Sequence, residues 1–131
     1  MNILTSTAHA AAPEHGSVLA LDNSADPLST DLAGVARIEL HFPKFTDGRA
    51  YSQAFLLRRR LGFAGDLRAT GDVLVDQLIQ MQRSGFSSAV LRADQDPALA
   101  RAELQRYPAF YQGDAVTVQP LFARSNAGVP A

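Results

Sequence analysis

Four short apolar runs, at residues 18–21 (VLAL), 37–42 (RIELHF), 67–70 (LRAT) and 88–91 (SAVL), begin about 20–30 residues apart, with helical stripes between them. Strands separated by helices cannot pair as hairpins. They run parallel through right-handed crossovers, because a chain that returns through a helix re-enters the sheet at the original end. The rhythm predicts an α/β fold: a single domain of βα units around a four- to five-stranded, mostly parallel sheet, either open or half-barrel-like. A half barrel would leave its edges exposed and favour a homodimer. Residues 116–118 (VTV) are a further β-prone run, which ends before Pro120 and so suits an edge strand.

The helices are read from their ends and stripes. Ala50, Ala54, Leu57 and Leu61 share one face, with Ser52 placed to cap the start and Gly62 where a left-handed C-cap belongs, so that Arg58, Arg59 and Arg60 mostly face solvent. Leu74, Leu78 and Met81 form a second stripe, widened by Val75 and Ile79, with Asp72 as its cap and Gly85 just past its end. Asp96-Pro97 places a capping carboxylate before a proline at the first position of a third helix, whose inner face carries Leu104 and Tyr107. A helical turn near 27–33 joins the first two strands.

At 131 residues there is room for one domain. Its expected extent is 17–123, between an Ala/Ser/Thr-rich N-terminal tail at 1–16 and a C-terminal tail at 124–131 (RSNAGVPA), both without periodic apolar pattern. The N-terminus lacks the basic and apolar regions of a signal peptide, and no apolar run reaches the roughly 20 residues that span a bilayer. The expectation is a cytoplasmic protein with no membrane partner. The absence of cysteine excludes structural disulfides, thiolate-held zinc, iron–sulfur ligation from this chain and thiol redox steps. No P-loop, G-x-G-x-x-G, G-x-S-x-G or H-E-x-x-H pattern occurs, so no cofactor is encoded by a recognisable motif. His9 and His15 fall in the tail and His41 on the polar side of a strand, so no metal site is expected.

The net charge of -1 argues against a nucleic-acid partner. The charge is unevenly spread, however: residues 44–68 hold six basic side chains against Asp47 and Asp66. In parallel α/β folds ligands sit where the loops leave the strand C-termini. Here those loops carry Asp22 and Asn23 after the first strand, Lys44, Asp47, Arg49 and Ser52 after the second, Asp72 after the third, and Arg92 and Asp94 after the fourth. Two helix N-termini beside Lys44 and Arg49 would suit a small oxyanion such as phosphate, sulfate or sulfite. The structural alternative is that Asp47-Gly48 is a turn, Arg49 pairs with Asp47 and Lys44 is solvated. Arg68 sits inside a strand, where a charge must find a partner, Asp66 or Asp72, or else point into the site.

Residues 42–52 (FPKFTDGRAYS), Leu57-Arg58, 62–69 (GFAGDLRA), 71–74 (GDVL), Asp76-Gln77 and 83–86 (RSGF) together resemble the bacterial family called domain of unknown function nine-three-four. That resemblance implies an association with assimilatory sulfite reductase and the label of a probable oxidoreductase of sulfite reduction. It makes sulfite reductase and other sulfur-assimilation proteins the expected partners, for which the chain would be an auxiliary factor. The alternative expectation is a small enzyme or ligand-binding domain for a sulfur or phosphate oxyanion. Many members of the family have cysteine where this chain has Ser84, and an N-terminal strand common among them is expected to be missing here.

Overall fold

The structure is a computed structural model and describes residues 1–9, 13 and 15–106. Five strands, β1 (Asn2–Leu4), β2 (Ser17–Leu21), β3 (Val35–Phe42), β4 (Asp66–Gly71) and β5 (Ser88–Val90), form one sheet in the order β1-β5-β4-β3-β2. Every pairing is parallel, as the βα rhythm requires. The sheet is open, and the strands β2 to β5 are laid down side by side in chain order. A short helix α1 (Ser6–His9) follows β1, and a 3-10 turn at Pro27–Ser29, capped by Asp26, lies between β2 and β3. The longer connections carry α2 (Arg49–Arg59) and α3 (Leu78–Ser84), and α4 (Pro97–Arg106) follows β5.

Alternation along the strands splits the sheet into two unlike faces. Ile38, Leu40 and Phe42 of β3 and Leu67 and Ala69 of β4 point one way and share a core with Ala54 and Leu57 of α2, Leu78 and Met81 of α3, and Ala100 of α4. Helices α2, α3 and α4 therefore cover one face. The opposite face takes the intervening residues: Arg37, Glu39 and His41 from β3, Asp66, Arg68 and Thr70 from β4, and Ser88 from β5. Its two arginines are buried, and each has a carboxylate partner on its own strand, Arg37 with Glu39 at 2.9 Å and Arg68 with Asp66 at 3.1 Å. Ser87 and Ser88 donate their hydroxyls to Asp66, and His9 of α1 reaches both Arg68, at 3.2 Å, and Glu39, at 3.7 Å.

Several local expectations are corrected. Asn2–Leu4 lies in the stretch read as a tail, yet it is an edge strand in register with Ser88–Val90, and Ile3 is part of the core. Three residues are too few to show alternation. The second helical stripe is shorter than its pattern: Val75–Gln77 is a 3-10 turn and the α-helix begins only at Leu78, although Gly85 ends it in the left-handed conformation as expected, with φ 117°. Leu61 does not pack against the sheet, because α2 stops at Arg59 and leaves it 38% exposed. Arg58 is not solvated: its guanidinium donates to the carbonyls of Gly85, Phe63 and Gly65 at 2.7–2.8 Å, tying the end of α2 to the turns on either side of β4 and α3. The strand expected at 116–118 and the tail at 124–131 lie outside the described residues.

Candidate functional site

The C-terminal edge of the sheet is built from the loops after β2, β3, β4 and β5. The first helix after β3 starts at Arg49, not at a Ser52 cap, because the Asp47 carboxylate already accepts the Arg49 backbone N–H at 3.1 Å. Ser52 is thus an exposed residue in the first turn of α2. The same carboxylate takes two bonds from the Arg49 guanidinium, at 3.1 and 2.8 Å, and one from the Asn23 amide. These bonds, that of the Arg49 side chain first, hold the Asp47 carboxyl down at about 2. From within α2, the buried Gln53 amide donates to the carbonyls of Asp22 and Ala25, which fixes the loop after β2.

Asp72 is likewise not a helix cap. It follows Gly71, where the chain turns, and its carboxylate accepts the Phe45 backbone N–H at 2.8 Å and the Arg92 guanidinium at 2.7 Å. Arg92 also grips Asp94 through two bonds, at 2.6 and 2.8 Å. These contacts lower the carboxyls of Asp72 and Asp94, Asp94 to about 2, chiefly through the Arg92 side chain. Gln77 completes the arrangement by donating its amide to the Phe45 carbonyl. Lys44 is exposed and has no ionic or hydrogen-bonding side-chain partner among the described residues.

The six residues singled out in the sequence are thus only partly gathered. Lys44 and Asp47 lie on one loop that runs into Arg49 at the start of α2, closed by a turn in which the Asp47 N–H donates to the Lys44 carbonyl at 3.0 Å, and Asp72 holds that loop from the next unit. Ser52 stands one turn up the helix. Arg68 belongs elsewhere, on the polar face of the sheet, where it is 9% exposed and bonds to Asp66, Ser88 and His9; of the partners considered for it, Asp66 is the one it takes.

Sequence reasoning missed the polar face as a feature. An open concavity of about 490 Å³ lies on it, lined by Ala20, Leu21, Asp22, Glu39, His41 and Thr70, with the His41 Nδ1 and the Thr70 hydroxyl 3.4 Å apart. The signal was present in the alternation Arg37, Glu39, His41 and Asp66, Arg68, Thr70, which puts six polar side chains on one side of two adjacent strands. Among the described residues no group of three or more His, Asp or Glu is placed to hold a metal ion, and no helix is long and apolar enough to cross a membrane.

One pH effect follows from the Asp47 geometry. A carboxyl lowered by folding from 3.8 to about 2 contributes stability that is fully present above 3.8 and is lost as the pH falls toward 2. Asp47→Asn is therefore expected to be less stable than the wild type at about pH 5, with the difference in urea midpoint narrowing toward about pH 2. A pH-independent difference would mean that the Asp47 charge is not what the loop uses.

An open parallel sheet with β2 to β5 laid down in chain order, α2, α3 and α4 on one face, α1 against the other, and strand-end loops tied by ion pairs defines a small α/β domain. The chain belongs to a bacterial protein family of unknown function, DUF934, whose pattern matches residues 16–122. No curated protein and no solved structure is detectably similar to it.

Proposed function

We propose that this protein is a non-catalytic auxiliary factor of assimilatory sulfite reduction, which acts by binding sulfite reductase or a neighbouring sulfur-assimilation protein. The resemblance described above supplies the pathway. The observation that supports binding over catalysis is the pairing of the strand-end charges: Arg49 with Asp47, and Arg92 with Asp72 and Asp94. An oxyanion at this edge would have to displace a carboxylate from each guanidinium, against charge-assisted bonds of good geometry. Affinity capture from native lysate of the source bacterium, read by mass spectrometry, tests the proposal. Sulfite reductase should be enriched, and its absence together with that of other sulfur-assimilation proteins would remove the proposal's support.

Lys44, which is unpaired among the described residues, favours a second reading, a ligand-binding domain for a sulfur or phosphate oxyanion. The two are separated by melting experiments at low millimolar sulfate, sulfite or phosphate, with chloride at matched ionic strength. A partner-binding factor should show the same melting temperature in all four salts, for the wild type and for Lys44→Ala combined with Arg49→Ala. An anion-specific increase that the double variant loses would establish the ligand reading instead.

A further inference from the structure

The sheet face opposite α2, α3 and α4 carries polar groups at the C-terminal ends of three adjacent strands. Parallel register sets Ala20 of β2 opposite Glu39 of β3 and His41 of β3 opposite Thr70 of β4, and Asp22 follows directly on β2. Together with Leu21 these residues line the open concavity of about 490 Å³. That volume is within the range of small-molecule pockets, and it lies at the end of the sheet where parallel α/β folds bind ligands. Contacts outside the concavity hold its polar groups in place. The Glu39 carboxylate takes both Arg37 bonds on Oε2, at 3.1 and 2.9 Å, while its Oε1 lies 3.7 Å from His9 Nε2. The His41 ring lies against Gly71, where a Cβ would come within 2.6 Å of the ring carbon Cε1, and its Nδ1 is 3.4 Å from the Thr70 hydroxyl. An exposed imidazole is thus positioned by two residues of the neighbouring strand.

Two carboxylates, an imidazole and a hydroxyl face this space, and none of the described residues that line it is Lys or Arg. Both Ser24 bonds to Asp22 fall on Oδ1, and they hold its carboxyl below the usual carboxylate range. Its Oδ2 is a charged acceptor with no hydrogen bond among the described residues, and His41 Nε2 likewise has no partner among them. Arg37 balances Glu39, which leaves one carboxylate in excess. Carboxylates only accept hydrogen bonds, and hydroxyls and imidazoles accept as well as donate, so the lining calls for a ligand that brings N–H donors and one positive charge. An anion would meet repulsion here without a compensating cation. We infer that the concavity binds a small organic cation, a primary ammonium on a short apolar chain, with the ammonium between Asp22 and Glu39, a hydrogen bond to His41, and the chain along Ala20 and Leu21. The site lies apart from the Lys44 and Arg49 loop and selects the opposite charge. It goes beyond the reading of the chain as a partner-binding factor and does not depend on it.

The test is an NMR titration of the full-length chain with n-butylammonium chloride, beside n-butanol and sodium butyrate as neutral and anionic probes of the same chain length, at matched ionic strength. Butylammonium should give saturable shifts at the amides of Ala20, Asp22, Glu39, His41 and Thr70, with a dissociation constant of about 1 mM, fitting for so small a ligand. Butanol should bind about 10-fold more weakly or less, and butyrate should not saturate. Asp22→Asn is close to isosteric and keeps the Oδ1 that Ser24 uses, so it should fold as the wild type and weaken butylammonium about 10-fold. Ala20→Phe, at an exposed position, should fill the space and abolish saturation. Equal affinity for butanol, tighter binding of butyrate, or unchanged affinity in Asp22→Asn would each show that the site does not read charge and would overturn the inference. Saturable shifts confined to other residues, unchanged affinity in a folded Ala20→Phe, or no saturation up to about 50 mM would overturn it equally. If Ala20→Phe does not fold, the Asp22→Asn comparison and the three probes still decide the question.

Discussion

Gly71→Ala is expected to lower the melting temperature by roughly 10 °C or more. Gly71 ends β4 with φ +90°, and a Cβ there would lie 2.3 Å from the Phe42 carbonyl oxygen and 2.6 Å from the His41 ring. The left-handed backbone alone costs an alanine about 1–2 kcal/mol. The contact costs more, because the Phe42 oxygen cannot move freely. It accepts the Asp72 N–H at 2.8 Å, and the Phe42 ring, fully buried, packs against Tyr51 and Phe86 at centroid distances of 5.1 and 5.8 Å. Relief requires the ends of β3 and β4 to separate, so the total should reach about 3 kcal/mol or more. Gly34→Ala is the matched control, since φ there is +74° but nothing lies within 4 Å of the added carbon. That variant should show the backbone cost alone, and equal losses in the two would mean that the strand ends part without resistance.

Leu78→Ala should cost about 2–5 kcal/mol in urea unfolding with the slope unchanged. Leu78 opens α3, is fully buried, and belongs to the same core as Leu67, Met81 and Phe86. A helix of seven residues has little stability of its own, so α3 depends on this packing. Truncating the side chain removes its transfer free energy and leaves a void between helix and sheet that a close-packed core fills only in part. Leu61→Ala, on the exposed residue beyond α2, should change stability by no more than about 0.5 kcal/mol. The sequence stripes assign both leucines to a buried face, so similar losses at the two positions would support the stripe over the structure.

The regular elements were legible because their determinants are local. A two-residue repeat sets the strand faces, the spacing of Ala50, Ala54 and Leu57 sets the inner side of α2, and Asp96 caps α4 by accepting the Ala98 N–H at 2.9 Å from two residues away. Parallel pairing followed from the crossovers, which no short-range alternative could satisfy. The site was legible only as a collection of residue types. Whether Asp72 caps a helix or clamps Phe45 turns on contacts across 27 residues to Phe45 and 20 to Arg92, and whether Arg58 is solvated turns on a carbonyl 27 residues away. Carboxylates and guanidiniums find whichever partner the packed backbone brings within about 3 Å, and their chemistry is the same in every such pairing. Composition and spacing therefore determined that the strand-end loops would be charged and the helices one-sided. Arg49–Asp47 and Arg92–Asp94 are pairs within single loops, but only the juxtaposition of the βα units decided that Arg92 also reaches Asp72 and that Asp72 holds the backbone of Phe45.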